Sequence, residues 1–405
     1  MLIFFKKLGP GILFAGAAIG VSHLVQSTKA GADFGLGLIW ALLLVNLFKF
    51  PFFQFGPRYA SATGESLLSG YKKLGNSILK LYIIISLGTM FTIQTAVTIV
   101  TAGIASYLTN HIVSIEYWAL IILVFSSTLL YIGKYKLLDK AIKLIIIVLA
   151  ISTIIATIIA FFNFESNISF TQFFPKNEIE IAFLIAFMGW MPAPLDISVW
   201  HSIWTIEKKK TENNIAVRTA LFDFNIGYFG TIFLGICFIL LGYFVMNDKS
   251  LSFSNSAGVF ANQLISMYTD SFGNWSFILI GIATFTTMFS TTITTLDASP
   301  RAMSKTIQLL FKKEKDYYIY WIIILASGTS LIFIFLLSEM GKLVQIATVL
   351  SFITAPIYAF LNYKLVNSDQ VPKDLQPSKK LKFLSNLGLI FLTGFTLFYL
   401  LSLGS

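Results

Sequence analysis

Apolar residues in this chain come in long runs of about twenty, with short polar segments between them, and not in the alternating pattern of half-buried strands. A run of that length crosses roughly 30 Å of hydrocarbon as a helix. Eleven spans are predicted, at about 10–32, 35–57, 77–108, 114–133, 138–163, 180–205, 216–246, 272–297, 318–338, 342–366 and 382–403. No segment between them is long enough for a soluble domain. The largest, "NDKSLSFSNSAGVFANQLISMYTDSFGN", lies between spans 7 and 8 and is expected to hold a short outer helix. The pattern predicts an all-α polytopic membrane protein with a single transmembrane domain over 1–405.

Composition agrees: 56% of the 405 residues are hydrophobic and 12% are charged, which no soluble domain matches. The single cysteine, Cys237, excludes a disulfide scaffold and a cysteine-based metal site. The net charge of +10 could suggest nucleic acid, but its distribution argues otherwise. With the N terminus in the cytoplasm, the inner loops hold most of the cationic residues, among them Lys6, Lys7, Arg58, Lys72, Lys73, Lys134, Lys136, Lys140, Lys208, Lys209, Lys210 and Arg218. The outer loops hold only Lys176, Lys249 and Lys342. That asymmetry predicts a multi-pass protein of a cell membrane, the bacterial inner membrane, with the N terminus inside and the C terminus outside. It explains the basic charge through the anionic leaflet, without nucleic acid. Lys6 and Lys7 precede a run with no cleavage site, so span 1 is expected to remain as a signal anchor.

Two spans are interrupted. Span 6, "IAFLIAFMGWMPAPLDISVWHSIW", carries Pro192 and Pro194, each of which removes a donor and clashes with the preceding turn. It should unwind near Met191 to Pro194. Span 1 has its weak point at Gly16 to His23, where glycines permit unusual dihedrals beside Ser22 and His23. Non-helical backbone at membrane depth is tolerated where it lines a cavity. Broken spans at matching places in two five-helix halves point to an inverted-repeat transporter, with repeats at about 10–163 and 180–366 and an extra helix at about 382–403.

"GPGILFAGAAIGVSHLVQSTKAGADFGLGLIW" resembles the first span of the NRAMP (natural resistance-associated macrophage protein) family of metal-ion transporters, whose pattern is close to GPG, an apolar run, DPGN, AAG, FG and Trp. "PRYASATGESLLSGYKKLG" is similar to that family's loop after span 2, and Met191 with Pro192 coincides with its MPH in span 6. The resemblance implies a LeuT-like fold of 11 transmembrane helices, with two inverted five-helix repeats and broken helices 1 and 6. It also implies a metal site, and there the chain departs. The family's ligand Asp falls on Gly20, its Asn on His23, its alanine before MPH on Met188 and its histidine on Ala193, while the methionine is retained as Met191. Span 3 lacks the acidic residues of the family's proton route.

Two site chemistries stay open. A metal site can be rebuilt from His23, Met188, Met191 and Asp196, whose imidazole, thioethers and carboxylate suit a late first-row ion. Both methionines also fit as packing, and Asp196 also fits as the cap of the second half of span 6. Alternatively, half-helix N-termini near Ser22 and Leu195, with Ser22, His23 and Lys29, would suit a small oxyanion such as bicarbonate. Uptake of an anion into a negative-inside cell needs a coupling cation. Span 8, "ATFTTMFSTTITTLD", resembles the hydroxyl-bearing helix of sodium-coupled members of the wider superfamily. That resemblance implies sodium held by the carbonyls of Gly16 and Ile19 and the hydroxyls of Ser290 and Thr291. Asp297 and Arg301, one turn apart, read as an inner gate or cap pair, or equally as a surface salt bridge. Asp223 and Lys49 are buried charges whose partners the sequence does not assign. No nucleophile elbow, HExxH or P-loop is present, so the expectation is a monomeric transporter of a small inorganic ion, not an enzyme, with no cofactor beyond a coupling ion. A sensor that keeps the fold without transport is the remaining alternative.

Overall fold

The computed structural model describes residues 8–165, 167–211, 216–246, 257–336 and 340–402. Lys6, Lys7 and Lys249, on which part of the expected orientation rests, lie outside them, as does 247–256 of the loop before span 8. Fourteen α-helices occur among the described residues. Span 1 is α1 (Pro10–Ala18), a π-helical turn (Val21–Ser27) and α2 (Thr28–Phe34). Next come α3 (Ile39–Thr63), the short amphipathic α4 (Leu67–Leu74), α5 (Asn76–Leu108) and α6 (Ile115–Phe162). Span 6 is α7 (Glu178–Trp190) and α8 (Ile197–Thr211), followed by α9 (Val217–Met246) and, in the segment expected to hold a short helix, α10 (Ala257–Phe272). The chain finishes with α11 (Phe277–Phe311), α12 (Tyr318–Leu336), α13 (Met340–Val366) and α14 (Lys379–Ser402).

Among the described residues, nine segments are long and apolar enough to cross a membrane, two fewer than the eleven predicted. The sixth falls short because the helix is cut into pieces of 13 and 15 residues. The eighth is the 35-residue, threonine-rich α11, which is not among the nine. The loop expected between spans 4 and 5 is instead helical backbone: α6 runs unbroken over 48 residues, with membrane-length segments Ile115–Ile132 and Ile142–Phe162 at its two ends. "KYKLLDKAIK" has neither Pro nor Gly to stop it.

Span 1, though broken, is held along its whole length by α9. Pro10 sits at the first turn of α1, where its missing N–H costs nothing. The Asp223 carboxylate accepts from the N–H groups of Gly9 (3.0 Å to Oδ1) and Gly11 (2.8 Å to Oδ2). A β-carbon on Gly11 would collide with the Asp223 carbonyl, and one on Gly227 with the Gly11 carbonyl. At mid-length His23 Nε2 lies 2.9 Å from the Thr231 carbonyl oxygen. Further on, Gly31 and Gly242 let α2 and α9 meet backbone to backbone. Asp223, Gly227, Thr231 and Gly235 thus form a four-residue stripe on α9, a small-residue seam that lets two helices approach closely.

Candidate ion site at the two helix breaks

The break in span 1 frees carbonyls. α1 stops at Ala18, and Ile19 and Gly20 take non-helical dihedrals (φ −81°, ψ 86° and φ −150°, ψ −124°). In an unbroken helix the Gly20 N–H would bond to Gly16 and the His23 N–H to Ile19. Here the Gly20 N–H bonds to the Ala18 carbonyl and the His23 N–H to the Gly20 carbonyl, each at 3.1 Å. The released Gly16 and Ile19 oxygens both lie 3.2 Å from Thr291 Oγ1 of α11. The same hydroxyl is 3.4 Å from the Thr287 carbonyl, to which Ser290 Oγ donates at 2.8 Å. One hydroxyl proton serves three carbonyl acceptors, so the cluster has more lone pairs than hydrogens. Gly16, Ile19, Ser290 and Thr291 are brought together, joined by the Thr287 carbonyl; Ser290 reaches only its own helix.

Gly20 faces this cluster. A β-carbon there would meet Thr291 Oγ1 at 2.6 Å and its methyl carbon at 2.8 Å, so no aspartate fits at this position beside Thr291 as it stands. Ser22 Oγ donates to the Ala18 carbonyl at 2.5 Å and lies 3.5 Å from the Pro192 carbonyl, joining the two breaks. The His23 imidazole turns away. It is fully buried, with Nδ1 2.7 Å from Ser22 Oγ and Nε2 on α9, and Phe238 packs edge-on to it at 6.5 Å. It ties span 1 to α9 and does not line the cavity between the breaks. That cavity, bordered by Ser22, Trp190, Pro194 and Thr291, has room for about one water at 20 Å³.

In span 6 the helix stops at Trp190, and residues 191–196 run non-helical through a cis Met191–Pro192 bond. Pro192 is the residue whose N–H would have bonded to Met188, so that carbonyl is left over. Sequence reasoning left Lys49 of α3 unassigned, and its ammonium fills the gap. Nζ donates to the carbonyls of Met188 (2.8 Å), Gly189 (2.7 Å) and Met191 (3.0 Å), and lies 3.4 Å from that of Ala193. Lys49 is fully buried. Met188 and Met191 are buried as well, and the Met191 sulfur accepts from Ser27 Oγ at 3.9 Å. Asp196, at the start of α8, is 7% exposed, and its Oδ1 has no hydrogen-bond partner. Among the described residues no three His, Cys, Asp or Glu side chains converge as a metal site.

Span 3, which lacks the acidic residues that the resemblance implies, is cross-linked to α11. Gln94 Oε1 accepts from Thr295 Oγ1 at 2.7 Å, and the Thr101 and Thr292 hydroxyls lie 2.8 Å apart. At the far end of α11, Arg301 binds Asp297 through Nη2 (2.5 Å) and Nε (3.2 Å), and Tyr318 Oη donates to Asp297 at 2.6 Å. Asp297 is fully buried, which removes the surface salt bridge as a reading. Arg301 and Tyr318 also border a cavity of about 410 Å³ that reaches Glu65, Glu207 and Lys210.

Comparison with known proteins sets this geometry in context. The family model described as natural resistance-associated macrophage protein-like matches residues 11–402. An uncharacterized protein of Pasteurella multocida is 35% identical over 403 residues, covering 98% of this chain and 92% of the relative. The Eremococcus coleocola manganese transporter, in complex with an aromatic bis-isothiourea substituted compound, superposes with a TM-score of 0.68 at 14% identity, covering 98% of this chain and 87% of that one. MhsT in complex with L-phenylalanine gives a TM-score of 0.69 at 14% identity, covering 96% and 98%. The nucleobase-cation-symport-1 family transporter Mhp1 gives 0.64 at 14% identity, covering 97% and 92%. At these identities the structures share the fold, that of LeuT-like transporters.

Proposed function

The chain belongs to the natural resistance-associated macrophage protein-like family, which makes it a multi-pass membrane transporter of the metal-ion-transporter class, and from that premise we propose that it is a sodium-coupled secondary active transporter of a small inorganic ion, working by alternating access. The carrying observation is the oxygen cluster of Gly16, Ile19, Thr287, Ser290 and Thr291. It is built only from carbonyls and hydroxyls, the ligand set of a hard monovalent cation. It also joins the break of span 1 to α11, so a cation bound there favours one arrangement of the two elements over another.

For the substrate, the charges at the breaks favour a small anion such as bicarbonate. Gly20 supplies no carboxylate where the family has one, and the carbonyls at the end of α7 are already neutralised by an ammonium. A dication would meet the Lys49 ammonium. The second reading, a metal ion, has its own support in family membership, in the orphaned carboxylate oxygen of Asp196 and in the retained Met191.

Uptake into liposomes separates the two. Radiolabelled bicarbonate and Mn²⁺ are compared with and without an inward sodium gradient. Sodium-dependent bicarbonate uptake that is abolished in Thr291→Val establishes the first reading. Sodium-independent Mn²⁺ uptake lost in Met191→Ala or Asp196→Ala establishes the second. If neither ion moves in protein that still binds sodium, the chain is a sensor and not a transporter.

A further inference from the structure

A lysine at the middle of an apolar bundle is costly unless its charge is compensated, and compensation normally comes from a carboxylate. Lys49 has none within salt-bridge distance among the described residues; its ammonium lies on four backbone oxygens at 2.7–3.4 Å. The Met188 and Gly189 oxygens belong to the end of α7, and those of Met191 and Ala193 to the non-helical stretch that follows. The final carbonyls of a helix lack intrahelical donors, and the helix end carries about half a unit of negative charge. Pro192 and Pro194 then remove the N–H groups that a continuing chain would have offered to Met188 and Trp190. What remains is a ring of converging carbonyl oxygens in a dry site, the kind of ligand set that replaces the hydration shell of a monovalent cation. The ammonium carries one positive charge and directs its donors into that ring as a bound ion would accept their lone pairs.

Resting on the anion reading above, we propose that Lys49 is a tethered cation: its ammonium permanently occupies a cation site formed by the Met188, Gly189, Met191 and Ala193 carbonyls, and thereby excludes free metal ions from the break in span 6. Lys49 is then a specificity-determining residue. Its removal frees the ring for a small cation. Its charge acts at the break without being consumed in the transport cycle.

The test uses the purified full chain in detergent. Lys49→Ala removes the ammonium and leaves a space, whereas Lys49→Met removes the charge and keeps the space filled. Thermal unfolding is followed with added ammonium, methylammonium or tetramethylammonium chloride, and Mn²⁺ binding is followed by calorimetry. The expected result is that Lys49→Ala unfolds at lower temperature than wild type and is restored by ammonium or methylammonium. Tetramethylammonium is too large to help, and Lys49→Met and wild type do not respond to any of the three. Mn²⁺ binding should be at least about tenfold tighter to Lys49→Ala than to wild type. Equal responses to all three salts, or wild type binding Mn²⁺ as well as the variant does, would overturn the proposal. Should Lys49→Ala not survive purification alone, it is prepared in methylammonium. Monodisperse protein obtained there but not in tetramethylammonium supports the tethered cation, and no difference between the two overturns it. These are binding measurements, so they stand or fall apart from the uptake assay, which alone judges the anion reading.

Discussion

At Gly20 the space for a side chain is already taken by the Thr291 hydroxyl and methyl. Gly20→Ala must therefore move Thr291 off the Gly16 and Ile19 carbonyls, and the sodium concentration for half-maximal uptake should rise about tenfold, the cost of one good oxygen ligand. Thr291→Val keeps the volume, removes the oxygen and should do at least as much; an unchanged sodium dependence in both variants would remove this cluster from the mechanism. Asp223→Ala strands two N–H groups at the start of α1, each worth about 1.5–3 kcal/mol when bonded to a charge, and should lower the unfolding temperature of the purified protein. How far these roles could be read from sequence depends on where the partner lies. Gly16, Ile19, Ser290 and Thr291 came from the resemblance of span 8 to the hydroxyl-bearing helix of sodium-coupled transporters, and the structure sets the Thr291 hydroxyl against the Gly16 and Ile19 carbonyls. Lys49 was not legible, because its ligands lie about 140 residues away and are backbone atoms, which any residue type supplies. His23 was read as facing the site because a histidine beside a break offers donors. Its direction depends on the Thr231 carbonyl of α9, and sequence carries no signal for that.

Span 6 shows how two residues shape an element. Pro192→Ala returns an N–H that can reach the Met188 carbonyl, in competition with Lys49, and lets α7 grow past Trp190. The variant should keep its helix content by circular dichroism and lose most of its uptake rate; full uptake would mean that the break is dispensable. The prolines made this interruption legible to within a residue or two. The fused α6 was less so, since the basic segment between spans 4 and 5 reads as a loop by charge while its residues are sound helix formers. On α9 the stripe of Asp223, Gly227, Thr231 and Gly235 was present in the sequence as small residues four apart, but that spacing does not say which helix lies against it.

At the scale of the whole molecule, the cavity between the breaks, with room for about one water, is far smaller than that of about 410 Å³ beyond the Arg301–Asp297–Tyr318 cluster. Tyr318→Phe removes one of the three bonds to Asp297 and should speed exchange of sodium from the side of that cavity, measured by counterflow. The charge asymmetry further predicts that single cysteines at Lys313 and Lys380 react with an impermeant maleimide only after the membrane is opened, whereas one at Lys176 reacts in intact cells. The seam along α9 constrains how such opening takes place. Because span 1 is fastened to α9 at its start, its middle and its far end, the gap at Ile19 and Gly20 is a fracture in a splinted beam and not a joint. Beam and splint should therefore swing together, with the contact of span 1 with α11 as the surface that slides and the Thr291 hydroxyl as its catch.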